Sequence, residues 1–178
     1  MPAAWRVELL KKDHARDAFS CGHAALDRYL RHQVRQDVQS QVAAVFVAVT
    51  PPGSTVLGFY SLSASSIATH DLPSEIARKL PRYPHLPVTL LGRLAIDQLS
   101  KGRGLGRFLL LDALYRSLQA AASIGAMAVV VDTKDAVAIS FYQQYGFAAL
   151  SAGEGRLFLP MKTVATLFQP QRTAARSI

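Results

Sequence analysis

The sequence predicts an α/β domain, because strand-like and helix-like patterns alternate along most of its 178 residues. Two β-rich runs at residues 43–50 and 55–64 flank the turn Pro51-Pro52-Gly53-Ser54, which is a hairpin signal. Residues 89–122 join an apolar strand to a glycine-punctuated loop and a long helix. A continuous apolar strand at 126–131 then precedes a helix at 136–145, as expected for a strand covered on both faces.

Shorter elements complete the predicted order. They are a strand at 5–10, an amphipathic helix at 23–39, a short helix at 73–80 and final strands at 147–150 and 156–161. Gly146 is a plausible cap for the preceding helix. We expect one domain over residues 1–168, followed by a frayed polar tail at 169–178.

Composition and charge restrict the functional class. The chain carries 20 Lys and Arg against 12 Asp and Glu, a formal net charge of +8, and so basic a small protein should attract polyanions such as nucleic acids. Its only cysteine, Cys21, forms no internal disulfide. The start of the chain lacks the apolar region of a signal peptide, and no apolar run in the sequence is long enough to span a bilayer, so we expect a cytoplasmic protein. The five histidines show no paired ligand spacing, so we expect no metal.

The glycine-rich loop has the features of a phosphate site. It reads Lys101-Gly102-Arg103-Gly104-Leu105-Gly106, with Arg107 next in the chain. It opens directly into a helix, whose first N–H groups have no intrahelical partner and lie at the positive end of the dipole. Its spacing excludes the nucleotide-hydrolase loop, which needs Gly-Lys-Ser/Thr, and the dinucleotide fingerprint Gly-x-Gly-x-x-Gly. A solvated glycine-rich turn is the alternative.

Arg93 is the unusual residue of the strand that precedes this loop. The pleat predicts two faces: Leu90, Gly92, Leu94 and Ile96 on one, and Leu91, Arg93 and Ala95 on the other. A buried arginine must be paired or face a cleft. Two interpretations stay open, a salt bridge to an acid such as Asp97 and a cleft arginine that receives an anionic acceptor. Gly92 is a candidate bulge.

Other basic residues have competing interpretations. Arg78, Lys79 and Arg82 lie in a proline-broken connector, which is either solvated or a polyanion contact. Arg28, Arg31 and Arg35 lie largely off the apolar stripe of the helix at 23–39, and we favour a solvated helix face for them over a dedicated site.

Two motifs carry a resemblance to a known superfamily. Lys101-x-x-Gly104-x-Gly106 resembles the (Gln/Arg)-x-x-Gly-x-(Gly/Ala) pyrophosphate loop of the GNAT acyl-CoA-dependent N-acetyltransferases, with lysine at its first position. The run Ala138-Ile-Ser-Phe141-Tyr142-Gln-Gln-Tyr145-Gly146-Phe147 resembles their Ala-x-x-Phe-Tyr-x-x-x-Gly-Phe signature. The resemblance implies acetyl-CoA as co-substrate. It also implies the GNAT fold, a mixed and mostly antiparallel sheet of about six to seven strands, flanked by helices and splayed at its centre.

Tyr142 is the catalytic candidate. Without the resemblance, this segment is an aromatic amphipathic helix in which Phe141 and Phe147 are core residues. When an amine attacks a thioester, the leaving thiolate has a free-thiol pKa of about 8.5, and tyrosine's is about 10. A phenol can therefore hydrogen-bond the departing sulfur and lend it a proton. The resemblance implies that Tyr142 is this general acid.

Further residues resemble one branch of the superfamily, the acetyltransferase toxins of type II toxin–antitoxin modules. They are Phe19-Ser-Cys-Gly22, Leu26-Asp-Arg-Tyr29-Leu30, Gly58-Phe-Tyr60-Ser-Leu62 and Leu91-Gly92-Arg93-Leu94-Ala95-Ile96-Asp97. This resemblance implies acetylation of the α-amino group of an aminoacyl-tRNA, which blocks translation. It also implies a homodimer, and a ribbon-helix-helix antitoxin whose terminal segment covers the active site.

The resulting hypothesis is direct acetyl transfer. Acetyl-CoA lies beside Leu94, Ala95 and Ile96, with its pyrophosphate on the N–H groups of residues 102–106. Lys101, Arg103 and Arg107 supply charge there, and Arg93, Arg78, Lys79 and Arg82 hold the acceptor. No general base is visible in either motif. The alternatives are a GNAT enzyme that acts on a small amine or a protein N-terminus, and a non-catalytic protein that binds nucleic acid or an antitoxin.

Overall fold

The computed structural model describes residues 4–151 and 155–170, and strands within them form one seven-stranded sheet. The strands are β1 (Arg6–Leu9), β2 (Ala44–Val49), β3 (Gly58–Ala68), β4 (His85–Ile96), β5 (Ala128–Asp132), β6 (Ala148–Ala149) and β7 (Arg156–Pro160). Their spatial order is β1-β2-β3-β4-β5-β7-β6, and all neighbours are antiparallel except β4 and β5. The predicted mixed, mostly antiparallel sheet is confirmed.

The sheet is splayed at its centre. The parallel strands β4 and β5 pair only where Thr89, Leu90 and Leu91 face residues 129–131. Beyond Leu91, β4 continues to Ile96 alongside β3, but no described strand pairs with its other edge. The two strands therefore diverge toward the carboxyl end of β4, as the resemblance implied.

A bulge at Gly92 reverses the faces of β4. Ser61 of β3 pairs with Arg93 and Leu62 pairs with Leu91, so Gly92 has no opposite residue. Leu91 consequently packs on the same face as Leu94 and Ile96, whereas Leu90 packs on the other. The predicted strict alternation, with Leu90 beside Leu94 and Leu91 beside Arg93, is wrong because a bulge adds one residue to the strand. The bulge itself was anticipated from Gly92.

Six helices are present among the described residues. They are α1 (Ala24–Arg28), α2 (Val34–Gln39), α3 (Ser74–Ala77), α4 (Leu105–Ala121), α5 (Ala136–Gln143) and α6 (Met161–Leu167). A π-helical turn, Tyr29–Gln33, joins α1 to α2, so the single helix predicted at 23–39 is continuous in space but not regular. The helix α6 was not predicted. None of these helices is long and apolar enough to cross a membrane.

The helices cover opposite faces of the sheet. Tyr29, Leu30 and Val34 are buried against Phe59 and the face of β2 that carries Val47. The helix α4 packs on the other face, and its buried residues are Leu105, Leu109, Leu110, Ala113 and Leu114. These two layers leave the carboxyl end of β4 between the start of α1 and the start of α4.

The end of α5 fixes the following chain. Gly146 has φ +93°, its N–H donates to the Gln143 carbonyl (3.1 Å), and the Phe147 N–H donates to the Tyr142 carbonyl (3.4 Å). This pair of bonds is the Schellman arrangement, which requires a left-handed residue that glycine adopts without strain. The predicted cap is confirmed. The predicted turn at 151–155 and the predicted tail at 169–178 lie largely outside the described residues.

Candidate active site

A cavity of about 760 Å³ opens where β4 and β5 diverge. Three separate stretches of the chain form its walls: the start of α1, the end of β4 with the glycine loop, and the junction of β5 with α5. The lining residues are Cys21, His23, Ala25, Leu26, Leu91–Ile96, Ser100–Gly102, Gly104–Gly106, Asp132–Asp135, Val137, Ala138, Phe141 and Tyr142. This cavity brings most of the predicted site together.

The floor of the cavity is the unpaired edge of β4. Leu94, Ala95 and Ile96 line it, and each pairs with β3 on one side only. Backbone N–H and C=O groups on the open edge need partners, because unsatisfied backbone groups are costly when buried. An extended ligand with amide groups can pair with this edge as an additional strand would.

The glycine loop leaves the first turn of α4 open. Gly102 and Gly104 have φ +76° and +84°, and a Cβ added to either would meet no atom within 4 Å. The glycines are therefore required by backbone conformation, and the space in front of them is empty. No side chain among the described residues caps α4, a helix of 17 residues. Its free N–H groups can bind an anion.

The three predicted cations of this loop are placed differently. Lys101 lines the cavity, and its ammonium group donates to the Cys21 carbonyl at 2.8 Å. Arg103 and Arg107 are exposed and do not line the cavity. Only Lys101 is therefore held at a fixed position beside the open helix terminus.

A strap formed by residues 20–23 crosses one side of the cavity, and sequence reasoning gave it no role. The Ser20 N–H donates to Asp97 (3.0 Å), and the Gln98 N–H donates to the Ser20 carbonyl (2.8 Å). Its far end, His23, lies 3.8 Å from Asp135 at the start of α5. Burial raises the pKa of the Cys21 thiol, so this thiol stays protonated and is a poor nucleophile.

Tyr142 lies at the inner wall of the cavity. Its ring packs against Phe141 and Phe147 with centroid separations of 5.3 and 5.4 Å, and the residue is 7% exposed. Burial raises its pKa to about 12, and its hydroxyl makes no hydrogen bond to another described residue. The hydroxyl is therefore protonated and available to a ligand. Phe147 is a core residue as predicted, whereas Phe141 is half-buried and lines the cavity.

Arg93 also lines the cavity and is held by an aromatic ring. Its guanidinium carbon lies 3.6 Å from the centroid of the buried Tyr29 ring, which is a cation–π contact. The Asp97 carboxylate instead accepts N–H groups of Ser20 and Leu99, both at 3.0 Å. The salt bridge between Arg93 and Asp97 is therefore wrong, and the cleft interpretation fits the geometry.

The acids that line the cavity are engaged in structural bonds. Asp132 accepts from Arg156 at 2.8 Å, and Asp135 accepts from the Val137 N–H at 2.9 Å, which caps α5. The described residues contain no group of three His, Cys, Asp or Glu suited to a metal ion. Both of these acids therefore already take part in hydrogen bonds within the protein.

The connector residues Arg78, Lys79 and Arg82 are exposed and do not line the cavity. They follow α3, in the segment that leads into β4. The structure thus brings Arg93, Lys101 and Tyr142 together and leaves these three cations on the surface.

Comparison with known proteins agrees with this geometry. No family model matches the chain. A Sinorhizobium fredii protein named probable toxin TacT is 31% identical over 161 residues, 86% of this chain and 89% of that protein. A tRNA-acetylating toxin of Mycobacterium tuberculosis is 38% identical over 150 residues, 84% of this chain and 88% of that protein. This chain belongs to the GNAT acetyltransferase toxins.

Solved structures of the toxin AtaT share the fold of this GNAT toxin. AtaT complexed with acetyl-methionyl-tRNAfMet has a TM-score of 0.87 and 29% identity, covering 93% of this chain and all of that one. AtaTR bound with AcCoA has a TM-score of 0.80 and 32% identity, covering 93% and 98%. AtaT bound to the C-terminus of the antitoxin AtaR has a TM-score of 0.78 and 28% identity, covering 93% and 99%.

Proposed function

We propose that this toxin transfers the acetyl group of acetyl-CoA to the α-amino group of an aminoacyl-tRNA, and so blocks translation. One observation carries the proposal: a single cavity joins an uncapped helix terminus and an open strand edge to Tyr142 and Arg93. A relative named for tRNA acetylation and a neighbour solved with acetyl-methionyl-tRNAfMet support the same substrate.

Acetyl-CoA occupies the floor of the cavity. Its pantetheine amides pair with the open edge of β4 at Leu94, Ala95 and Ile96, and its pyrophosphate accepts N–H groups of residues 102–106. Lys101 stands beside the pyrophosphate, held by the Cys21 carbonyl. Arg103 and Arg107 flank the loop from outside and add long-range attraction for the phosphates.

Tyr142 assists departure of the thiolate. The amine nitrogen bonds to the thioester carbon, the C–S bond breaks, and the electron pair moves to sulfur. The Tyr142 hydroxyl hydrogen-bonds this sulfur and passes it the proton, since an apolar cavity also disfavours a bare thiolate. A pKa of about 12 keeps the hydroxyl protonated in the resting enzyme. Solvent then returns the proton to Tyr142.

The proton of the attacking amine goes to water. An α-amino group titrates near pH 7.7–8.0, so a substantial fraction is neutral at cellular pH and needs no strong base. The cavity agrees, because Asp132 and Asp135 already accept protein hydrogen bonds. Arg93 binds the phosphate backbone of the acceptor tRNA. The exposed Arg78, Lys79 and Arg82 contact the same RNA outside the cavity.

We also propose the partners of this toxin. The toxin acts in the cytoplasm, where charged tRNA is found, and forms a homodimer. A ribbon-helix-helix antitoxin neutralises it by placing a terminal segment over the cavity. AtaT bound to the C-terminus of AtaR supports the last point.

Release of free CoA thiol from acetyl-CoA tests the function with three matched RNAs. The same tRNA is used charged, charged with its α-amino group blocked by formylation, and uncharged. The proposal predicts rapid release only with the free amine, and little release by Tyr142→Phe. Equal release with all three RNAs would indicate hydrolysis, and release only with a small amine or a peptide would indicate another acceptor.

A further inference from the structure

A second, smaller cavity lies apart from the catalytic one and is bordered by four cations, so we call it the basic cavity. Its volume is about 170 Å³, and it shares no lining residue with the catalytic cavity. Four cations and three uncharged residues form it: Lys11, Lys12, Arg16, Arg35, Leu10, Val38 and Gln39. No carboxylate lines it. Arg35 is exposed on α2, in keeping with the solvated helix face predicted for it, and it also borders this cavity.

The four cations lack carboxylate partners in the part of the chain that the structure describes. None of the ion pairs there involves Lys11, Lys12, Arg16 or Arg35. Of the nearby acids, Glu8 pairs with Arg6 and His14, and Asp37 accepts from Tyr29. Asp13 and Asp17 follow Lys12 and Arg16 in the chain, and no ion pair among the described residues joins them to these cations. Four like charges around one hollow repel each other, and an anion in the hollow relieves that repulsion.

Part of this basic cavity is rigid. The Arg16 guanidinium is half-buried and donates to the Leu30 carbonyl at 2.8 Å. Arg35 and Val38 lie on α2, while Lys11 and Lys12 lie in the segment after β1. The cavity is therefore built between two packed elements and differs from a row of cations on one helix.

Its position relates it to the catalytic cavity. One helical stretch connects the two, because Leu26 on α1 lines the catalytic cavity and Arg35 on α2 lines the basic one. Nine residues of helix span about 14 Å, at ~1.5 Å per residue. That is the length of a few nucleotides of an RNA strand. An RNA with its 3′ end in the catalytic cavity can therefore reach the basic cavity.

We propose that the basic cavity binds a phosphodiester of the acceptor RNA, a few nucleotides from the reacting end. This inference rests on the proposed tRNA substrate. CoA is excluded as the ligand, because its own phosphate site lies in the catalytic cavity. Each contact releases condensed counterions, so the cavity contributes affinity that falls steeply with salt and does not depend on base sequence.

Binding of uncharged tRNA at several salt concentrations tests the proposal. The variants are Lys12→Gln, Arg35→Gln and the double variant, with Lys162→Gln on α6 as a control that removes one exposed charge on the other side of the sheet. Each substitution in the cavity should reduce the slope of log Kd against log salt by about 1, and the double variant by about 2. Lys162→Gln should leave the slope unchanged.

The remaining outcomes are also decisive. Catalysis at saturating charged tRNA should stay at the wild-type rate in the double variant, since no catalytic group is altered. A double variant with the same tRNA slope as Lys162→Gln overturns the proposal. So does loss of inorganic phosphate binding without any loss of tRNA binding, which would assign the cavity to a free anion. If wild-type toxin binds tRNA through this cavity but transfers no acetyl group, the proposed function fails and the RNA site stands.

Discussion

Tyr142 is packed through its ring, and its hydroxyl is available for the proposed chemistry. Its ring is fixed between Phe141 and Phe147, while its hydroxyl has no partner among the described residues. Tyr142→Phe should preserve the packing and lower kcat by about 10²–10⁴-fold, the usual contribution of general-acid catalysis, with little change in KM for acetyl-CoA. Steady-state kinetics with charged tRNA measure this effect. Full turnover in a folded Tyr142→Phe protein would remove the general-acid role.

Arg93 illustrates positioning by an aromatic platform. Stacking on Tyr29 orients the guanidinium, and lysine cannot reproduce either that stack or a two-pronged contact with an anion. We expect Arg93→Lys to raise KM for charged tRNA about tenfold, with KM for acetyl-CoA unchanged. Because lysine keeps the positive charge, this change in KM reports the lost geometry of the contact. If Arg93→Lys alters only the acetyl-CoA parameters, Arg93 belongs to the CoA site.

Residue types and spacing made Lys101, Gly104 and Arg93 candidates, whereas Tyr142 was selected by its resemblance to the superfamily signature. Sequence reasoning did not select His23 as a site residue. Its place in the cavity depends on its approach to Asp135, which lies more than a hundred residues further along the chain. Gly22 was the available signal: it has φ +93°, and a Cβ there would lie 2.8 Å from the Gln98 side chain.

At the scale of elements, the proposed anion site needs both the glycine loop and the start of α4. Gly104→Ala places a Cβ on a left-handed residue, which costs about 1–2 kcal/mol unless the loop shifts. A shifted loop misdirects the helix N–H groups, so the Kd of acetyl-CoA should rise on the order of tenfold. Titration calorimetry measures it.

Gly125 offers a matched control for this prediction. A Cβ there would also meet nothing within 4 Å, but its φ lies outside the left-handed range. Gly125→Ala should therefore leave the Kd of acetyl-CoA unchanged. Equal effects of the two substitutions would mean that conformation at Gly104 is not what the loop requires.

The elements that pattern alone predicted are those with strong local signals, such as α4 and the apolar strand β5. The face reversal in β4 and the π-helical turn after α1 were not predicted, because both depend on which partner packs against the segment. The predicted strand began at Leu90, whereas β4 begins at His85, because Pro84 and Pro87 interrupt its pattern. A strand that contains proline is therefore hard to recognise from sequence, even when its other residues pair with a neighbouring strand.

At the scale of the whole molecule, buried tyrosines predict alkaline instability. Burial raises the pKa of Tyr29 and of Tyr142 to about 12, and burial also raises that of Tyr60. Unfolded tyrosine titrates near 10. Between these values the unfolded chain loses protons that the folded chain keeps, so the free energy of unfolding falls as pH rises from about 10 toward 12.

Urea unfolding at a series of pH values measures this fall. Tyr142→Phe should show a shallower decline, because one of the groups that titrate differently in the two states is gone. An unchanged decline would mean that Tyr142 ionises as readily in the folded protein as in the unfolded chain.

The net charge of +8 predicted a polyanionic partner but not where it binds. Charge density depends on which distant residues converge, and Lys11 and Arg35 meet only because the start of the chain packs against α2. The catalytic cavity likewise draws on residues from position 21 to position 142. Sequence motifs predicted the residues that we propose bind CoA, whereas the strap at 20–23 could be recognised only in the folded structure.

The most direct test of the central claim identifies the acetylated atom. Purified toxin is incubated with isotope-labelled acetyl-CoA and a pool of charged tRNAs, which are then digested to aminoacyl-adenosines and weighed by mass spectrometry. Our account predicts N-acetyl-aminoacyl-adenosine carrying the label, formed by wild-type toxin and nearly absent with Tyr142→Phe. Unmodified aminoacyl-adenosine, despite demonstrated binding of acetyl-CoA, would contradict the proposed acceptor.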